Sequence, residues 1–190
     1  MKLTTVTPSA VLPVSLDDIK LHCRLDTDTN TEDSLLTRLA FMSAERCSHE
    51  TGRAMLTTTY RLDADISEKL LLPRPPFVAI TSVTVTDADG VATVLTADDY
   101  SLTNTRQKTL LTIDNPGSGV TVAVVFTAGY GATAASLPHA FAGWILIDVA
   151  TLYEQRQALY EQRQAVTAGN ANAIPYPFVG GLLDGYRVDY

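Results

Sequence analysis

The residues that come closest to a calcium site lie in the acid-rich segment that begins at Asp26. Asp26, Asp28 and Asn30 alternate as at the start of a calcium-binding loop. The sixth position of that loop is Thr31 rather than glycine, and the twelfth is Thr37 rather than glutamate. The sharp turn and the bidentate ligand are therefore missing. We interpret the segment as a polar link between helices.

A second set of possible metal ligands consists of His22, Cys23, Cys47 and His49. Neither pair has the C-x2-C spacing that is typical of zinc sites. Both cysteines lie in helical patterns beside apolar residues, so we predict free thiols with structural roles rather than zinc ligands or a disulfide. The sequence thus predicts no metal and no cofactor.

The segment GYGATA at 129–134 superficially follows the strand-GxGxxA-helix pattern of dinucleotide sites. Such a site needs a parallel strand after the helix, but here the chain continues into a terminal tail. The sequence contains no G-x-S-x-G, no P-loop lysine motif and no H-E-x-x-H. We therefore expect a protein that is not an enzyme.

Composition bounds the class of protein. With 190 residues, of which 46% are hydrophobic, the chain can bury the core of one domain or of two joined subdomains. Its net charge of -7 disfavours a surface that grips phosphates. No run approaches the roughly 20 apolar residues of a membrane span, and the N-terminus has no signal-like apolar core, so we expect synthesis in a cytoplasm and no membrane partner.

The element that organises the chain is a predicted long helix over 138–166. Pro138 suits its first turn, and only Gly143 interrupts the run before Gly169. At 1.5 Å per residue this helix is about 40 Å long. Its first half is apolar on nearly all sides, which predicts that other parts of the protein surround it.

The second half of that helix carries the heptad LYEQRQA twice, at 152–158 and 159–165. In each copy Glu and Arg are two residues apart, which is about 200° of helical rotation, so the acidic and basic groups face opposite sides. Such a helix can present one side to each of two neighbours, as in a head-to-tail ring. The predicted interface residues are Leu152, Glu154, Arg156, Leu159, Glu161 and Arg163. A solvated helix end, lengthened by duplication, stays open as the alternative.

The remaining elements predict an α+β fold. An extended arm over 1–14 leads to a helix capped by Ser15, and a second helix, capped by Asn30 or Thr31, ends at Gly52. Between 55 and 131, short alternating runs predict an antiparallel sheet or small barrel, with a hairpin at Gly90. We expect residues 1–54 and 132–168 to form a helical domain of two N-terminal helices and one long C-terminal helix, with 55–131 as an inserted β subdomain.

The segment 169–190 has no consistent period, and we expect an extended, disordered C-terminal tail that orders on docking. Two prolines stiffen it, and spaced aromatic and aliphatic side chains suit apolar pockets on a partner. The predicted docking residues are Pro175, Tyr176, Pro177, Phe178, Leu182, Leu183 and Tyr186. A tail folded back on its own helices is the alternative.

The order of several short motifs resembles one family. The ordered set is LDDIKLHCRLD, an acidic link, ETGR, LLLPRPPF, AGYG, LPHAF, LYEQR and a terminal GLLDGYR. Together they are similar to the head-to-tail connector, or adaptor, proteins of tailed bacteriophages over about 15–165 and the closing motif. The tandem LYEQRQA looks like an elongation of the family's helix.

The resemblance implies a ring, typically of twelve subunits, in the virion neck beneath the portal of the DNA-filled head. Its implied partners are further copies of itself, the portal protein and a tail-side neck or tail-completion protein. DNA would pass through the channel without sequence-specific binding, which an acidic protein permits. Two other classes stay open: a monomeric β-sheet module for ligand binding or adhesion, and a small hydrolase.

Overall fold

The computed structural model describes residues 1–67, 69–105, 108–114, 117, 119–164 and 181–188, without the side chains of 156–164. Within these residues the chain forms two compact units. The β unit comprises Met1–Ala10 and Gly52–Ala132, and the helical unit comprises Val11–Thr51 and the described part of Thr133–Asp189. The predicted α+β class and the antiparallel character of the inserted strands are confirmed.

Among the described residues, the helical unit contains three α-helices that pack pairwise on one another: α1 (Leu16–His22), α2 (Asp33–Thr51) and α3 (His139–Gln164). Short 3-10 turns at Ala134–Ser136 and Asp184–Tyr186 lie before α3 and near the C-terminus. The buried face of α3 includes Phe141, Trp144 and Ile145. None of the helices in the described ranges is both long enough and apolar enough to cross a bilayer.

Local signals set the helix ends. The Ser15 hydroxyl accepts a hydrogen bond from the Asp18 amide at 3.1 Å, which confirms the predicted N-cap of α1. Gly52, with φ of 69°, follows the last residue of α2 as predicted. The start of α2 differs from the prediction, because the Leu36 amide bonds to the carbonyl of Glu32 rather than to an earlier residue.

The described part of the β unit contains eight strands: β1 (Lys2–Thr7), β2 (Thr58–Asp65), β3 (Lys69–Leu72), β4 (Phe77–Asp87), β5 (Ala92–Val94), β6 (Tyr100–Asn104), β7 (Thr109–Ile113) and β8 (Gly119–Ala128). Their order is β1-β2-β8-β4-β5 in one sheet and β3-β7-β6 in the other. The inward side chains of both sheets share one apolar core, with Leu62, Val124 and Phe126 from the first and Leu72 and Leu111 from the second. This core follows from the alternation of apolar and polar residues along the strands.

The extended arm expected at 1–14 is extended, but most of it is part of a sheet. Strand β1 pairs antiparallel with β2 through Lys2↔Asp63, Leu3↔Leu62 and Thr5↔Tyr60. Its β-branched residues favour this conformation. Contacts therefore group the first ten residues with the β unit rather than with the helices.

The hairpin predicted at Gly90 is confirmed as the connection of β4 to β5. Gly90 has φ of 84°, and its amide bonds to the carbonyl of Asp87 at 3.2 Å. The Asp87 carboxylate accepts from the amides of Asp89 at 3.0 Å and Val91 at 2.9 Å. These bonds hold the turn closed through local chemistry alone.

Candidate functional site

The predicted interface begins at Leu152, in the second half of α3. Leu152 is half-buried, Tyr153 is buried and Glu154 is exposed. The Tyr153 hydroxyl donates to the carboxylate of Glu32, which ties this turn of α3 to the start of α2. The backbone stays helical to Gln164.

Four of the six predicted interface side chains, those of Arg156, Leu159, Glu161 and Arg163, lie outside the described side chains. The structure describes the other two. Of these two, Glu154 lies at the surface. That the acidic and basic side chains face opposite sides of the helix stays a prediction from helical geometry.

A buried carboxylate fixes α3 to α2 below this surface. Asp148 is 7% exposed and accepts from the Ser43 hydroxyl at 2.8 Å and from Arg46 Nη1 at 3.1 Å. The Arg46 guanidinium also pairs with Glu50 at 3.3 Å and lies 5.9 Å from the ring centroid of Trp144. A buried charge with such partners makes the orientation of the two helices costly to change.

Sequence reasoning did not single out Asp148, although a signal was present. It is the only charged residue between His139 and Leu152, in a run that is otherwise almost entirely apolar. A charged residue in such a run is rarely buried without a partner. The run therefore indicates a partner for Asp148 on a neighbouring element, but it does not identify Ser43 and Arg46.

The acid-rich link between α1 and α2 is held by a buried lysine. Lys20 is 3% exposed, and its Nζ lies 3.2 Å from the Thr27 carbonyl oxygen and 2.7 Å from Asp33 Oδ1. The Asp26 carboxylate accepts from the Asp28 amide at 3.0 Å. The Asp26 carboxylate thus makes a contact within the link, and Asp33 makes one at the start of α2.

The cysteines predicted to be structural lie in the helical unit as free thiols. Burial, with smaller contributions from Glu50 and Asp148, raises the pKa of Cys47 to about 12. Burial also raises the pKa of Cys23, and the carboxylates of Glu154 and Glu32 add to this. Among the described residues, no three of the His, Cys, Asp and Glu side chains gather as metal ligands.

Two of the motifs that carry the family resemblance meet in the β unit. The amide of Ala54 bonds to the Pro75 carbonyl at 3.1 Å, and the amide of Gly129 bonds to the Pro76 carbonyl at 2.8 Å. The amide of Tyr130 in turn bonds to the Met55 carbonyl at 3.1 Å. The LLLPRPPF and AGYG segments therefore form backbone hydrogen bonds at the positions where the chain enters and leaves the sheets.

Gly129 is required at this junction by a close approach of two backbones. Its φ is 138°, and a Cβ there would lie 2.5 Å from the carbonyl carbon and oxygen of Leu56 and 2.6 Å from the Thr57 amide nitrogen. No side chain fits that space. The AGYG motif thus has a structural explanation.

The closing motif GLLDGYR packs within the helical unit, against helices that carry two other motifs. Leu183 is fully buried, and the Tyr186 ring lies 4.5 Å from the Phe141 ring of α3, measured between centroids. The amide of Val188 bonds to the Thr51 carbonyl of α2 at 3.1 Å. The described part of the tail therefore adopts the folded-back alternative.

This placement concerns two of the predicted docking residues, and docking on a partner stays a prediction for them. The Tyr186 ring packs on Phe141 of α3 and Leu183 is fully buried, whereas Leu182 is 38% exposed. The other four predicted docking residues, Pro175, Tyr176, Pro177 and Phe178, lie outside the described residues.

A groove of about 370 Å³ lies on the β unit. Its lining residues are Met1, Lys2, Arg61, Asp63, Ala64, Asp65, Thr86, Thr121, Val122 and Ala123. Arg61 and Asp63 pair with each other at 2.9 Å. The groove therefore offers paired charges and hydroxyls but no histidine or cysteine among its lining residues.

The described elements define a class of structure: a unit with three α-helices that is interrupted in the sequence by a β unit with two antiparallel sheets. Chains of the same fold occur in gene transfer agent (GTA) particles. The neck of an empty GTA particle computed with C6 symmetry contains a chain that is 22% identical, with a TM-score of 0.77. The virion of the native GTA particle contains a chain that is 23% identical, with a TM-score of 0.74. The neck of the native particle computed with C12 symmetry contains a chain that is 22% identical, with a TM-score of 0.70.

Each of these matches covers 100% of this chain and 97% of the other. No protein-family model matches the sequence, and no curated protein matches it. At 22–23% identity the likeness establishes the shared fold over the whole length.

Proposed function

We propose that this chain is a non-enzymatic structural protein of a virion neck, where it connects the portal of the DNA-filled head to the tail. The observation that carries the proposal is the full-length match to chains of GTA particles, two of them in structures of the neck. The ordered motifs of the sequence resemble head-to-tail connectors independently of that match. A neck is the place that such a connector occupies.

The proposed assembly is a ring of twelve subunits that continues the DNA channel. The necks that contain the similar chains were computed with C6 and C12 symmetry, and both symmetries accommodate twelve copies. The net charge of -7 suits a channel that DNA traverses without long-lived phosphate contacts. The portal and a tail-side neck or tail-completion protein are the proposed partners on its two faces.

The proposed contact between subunits uses the end of α3. Asp148 and the Tyr153 hydroxyl anchor this helix on α2, and Glu154 lies exposed beyond them. Successive Glu and Arg residues of the repeat then face opposite neighbours. Exposed ion pairs contribute only about 0 to 1 kcal/mol each, so this contact needs several pairs and buried apolar area in addition.

A charge-swap experiment tests this interface. The double variant Arg156→Glu/Arg163→Glu should weaken assembly without changing the melting temperature, because like charges then face each other. Adding Glu154→Arg and Glu161→Arg should restore assembly, since the complementarity is then reversed on both sides. Arg38→Glu, at an exposed position of α2, serves as the charge-reversal control.

Size-exclusion chromatography with light scattering and negative-stain imaging would follow these variants at low and high salt. If the double variant assembles like the wild type, the repeat is a solvated helix end. If the wild-type chain forms no ring, alone or with its portal, the proposed function itself is wrong.

The proposed portal contact involves the part of the tail before the closing motif. Leu183 is buried and Tyr186 packs on Phe141 of the helical unit. Tyr176 and Phe178 are therefore the other two aromatic side chains among the predicted docking residues. Tyr176→Ala/Phe178→Ala should reduce binding to the portal at an unchanged melting temperature. Equal portal affinity of this variant and the wild type, measured by pull-down and interferometry, would refute tail docking.

A further inference from the structure

The five-stranded sheet has two exposed edges, which are formed by β1 and β5. All three residues of β5 are exposed, and five of the six residues of β1 are exposed. β1 has one charge, Lys2 at its start, and β5 has none, and neither strand contains proline. Charges and proline are common devices that protect sheet edges, so these edges are weakly protected.

Exposed apolar side chains of the β unit concentrate at these edges. The large ones among its described residues are Met1, Val6, Val78, Val91, Val94, Leu102 and Val120. Met1 and Val6 lie on or beside β1, and Val91 and Val94 lie on or beside β5. Apolar residues beside unpaired backbone groups are typical of strands that pair with another chain.

The direction of the strands limits which pairing a ring can use. All neighbours in this sheet are antiparallel, and an odd number of strands separates its two edges, so β1 and β5 point the same way. Rotation about a ring axis that runs along the strands preserves this direction. The β5 edge of one copy then meets the β1 edge of the next as a parallel pair, whereas a two-fold dimer through β1 alone would be antiparallel.

We propose that β5 of one subunit pairs in parallel with β1 of a second copy of this chain, which joins the five-stranded sheets into one continuous ring of sheet. This inference rests on the proposed ring and adds a contact that is separate from the α3 repeat. A pair of such short strands buries far less than the roughly 1,000 Å² of a stable interface, so it acts together with the helical contact.

The register of the sheet indicates which residues to link. One row crosses all five strands through Lys2↔Asp63, Asp63↔Ala123, Thr84↔Ala123 and Thr84↔Val94. Directly opposite residues share a face, so Lys2, Thr4 and Val94 point to the same face. A continued sheet brings Val94 near the next copy's Lys2, or near its Thr4 if the register shifts by two residues.

Cysteine cross-linking of the full chain tests the proposal. Lys2→Cys/Val94→Cys and Thr4→Cys/Val94→Cys should, on mild oxidation, give a ladder of covalent multimers in at least one case. The three single variants and the wild type should give none, because the native Cys23 and Cys47 lie in the helical unit and their thiol pKa values are raised. Dimers from Lys2→Cys or Thr4→Cys alone would indicate a two-fold pairing and overturn the proposal.

A lysine substitution supplies a second test with a matched control. Val94→Lys should lower the fraction of assembled protein severalfold, because a charge then enters the edge. Val120→Lys should not, since Val120 is also exposed, at 48% against 64% for Val94, but lies on the interior strand β8 of the same sheet. Equal assembly of the two variants would contradict the edge contact.

The outcomes separate this inference from the proposed function. Rings that form without a ladder from either double variant overturn edge pairing and leave the ring intact. A ladder without closed rings supports edge pairing and overturns the ring. If neither a ladder nor closed rings form, both the edge pairing and the proposed ring are wrong.

Discussion

Replacing Gly129 by alanine should destabilise the β unit more than alanine at any other described glycine whose surroundings are open. The new Cβ would lie 2.5 Å from the Leu56 carbonyl, and φ there is 138°. A strained backbone conformation costs about 1–3 kcal/mol, and overpacking costs about 1–3 kcal/mol more. Because the obstructing atoms are backbone, no rotamer change relieves the overlap, so the two costs add to a loss of roughly 2–6 kcal/mol.

Two other glycines separate the causes of this loss. Gly90 has φ of 84°, and no atom lies within 4 Å of the position that a Cβ would take there, so Gly90→Ala should cost only about 1–2 kcal/mol of strain. Gly143 lies in α3 with open space around it, and Gly143→Ala should stabilise the protein by about 0.5–1 kcal/mol.

Urea unfolding followed by far-UV circular dichroism would measure these differences. Thermal melts should show a drop of roughly 4–24 °C for Gly129→Ala, since 1 kcal/mol shifts the melting temperature by about 2–4 °C at this chain length. A Gly129→Ala variant that loses no more stability than Gly90→Ala would refute the close approach between Gly129 and Leu56.

Three further predictions concern the helical unit. Leu183→Ala should lower the free energy of unfolding by about 2–5 kcal/mol, because Leu183 is buried. Leu182→Ala should change the free energy of unfolding little, because Leu182 is partly exposed. Equal effects of the two variants in urea melts would contradict packing of the closing motif. Asp148→Ala should cost about 1–3 kcal/mol, since the buried Ser43 hydroxyl loses its hydrogen-bond partner and the half-exposed Arg46 loses one of its carboxylate partners. A loss below about 0.5 kcal/mol in the same assay would contradict these contacts of Asp148. Because the pKa of Cys47 is raised to about 12, its thiol contributes stability that is complete below the pKa of the unfolded state and is lost as pH rises toward 12. The stability of the wild type should therefore fall more steeply than that of Cys47→Ala above about pH 9. Parallel pH profiles of the two proteins would contradict this.

Local patterns in the sequence determined much of the fold. Alternation along TLLTI and VTVAVVFTA predicted strands that the structure contains as β7 and β8. Ser15, Gly52 and Gly90 marked two helix ends and a turn, because capping and positive φ depend on bonds within a few residues. The order of the short motifs resembles that of the connector family, a likeness that rests on the sequence and on no tertiary contact.

Tertiary structure decided the points that depend on residues far apart in the chain. Asp148 meets Ser43 and Arg46 about a hundred positions away, and no local pattern names such partners. Strand β1 joins the sheet by pairing with β2, which follows it in the chain only after α1 and α2. Pairing between such distant segments produces no clear periodic pattern in so short a segment. The closing motif has no period either, yet Leu183 is fully buried and the Tyr186 ring packs on Phe141 of α3, a residue far from it in the chain.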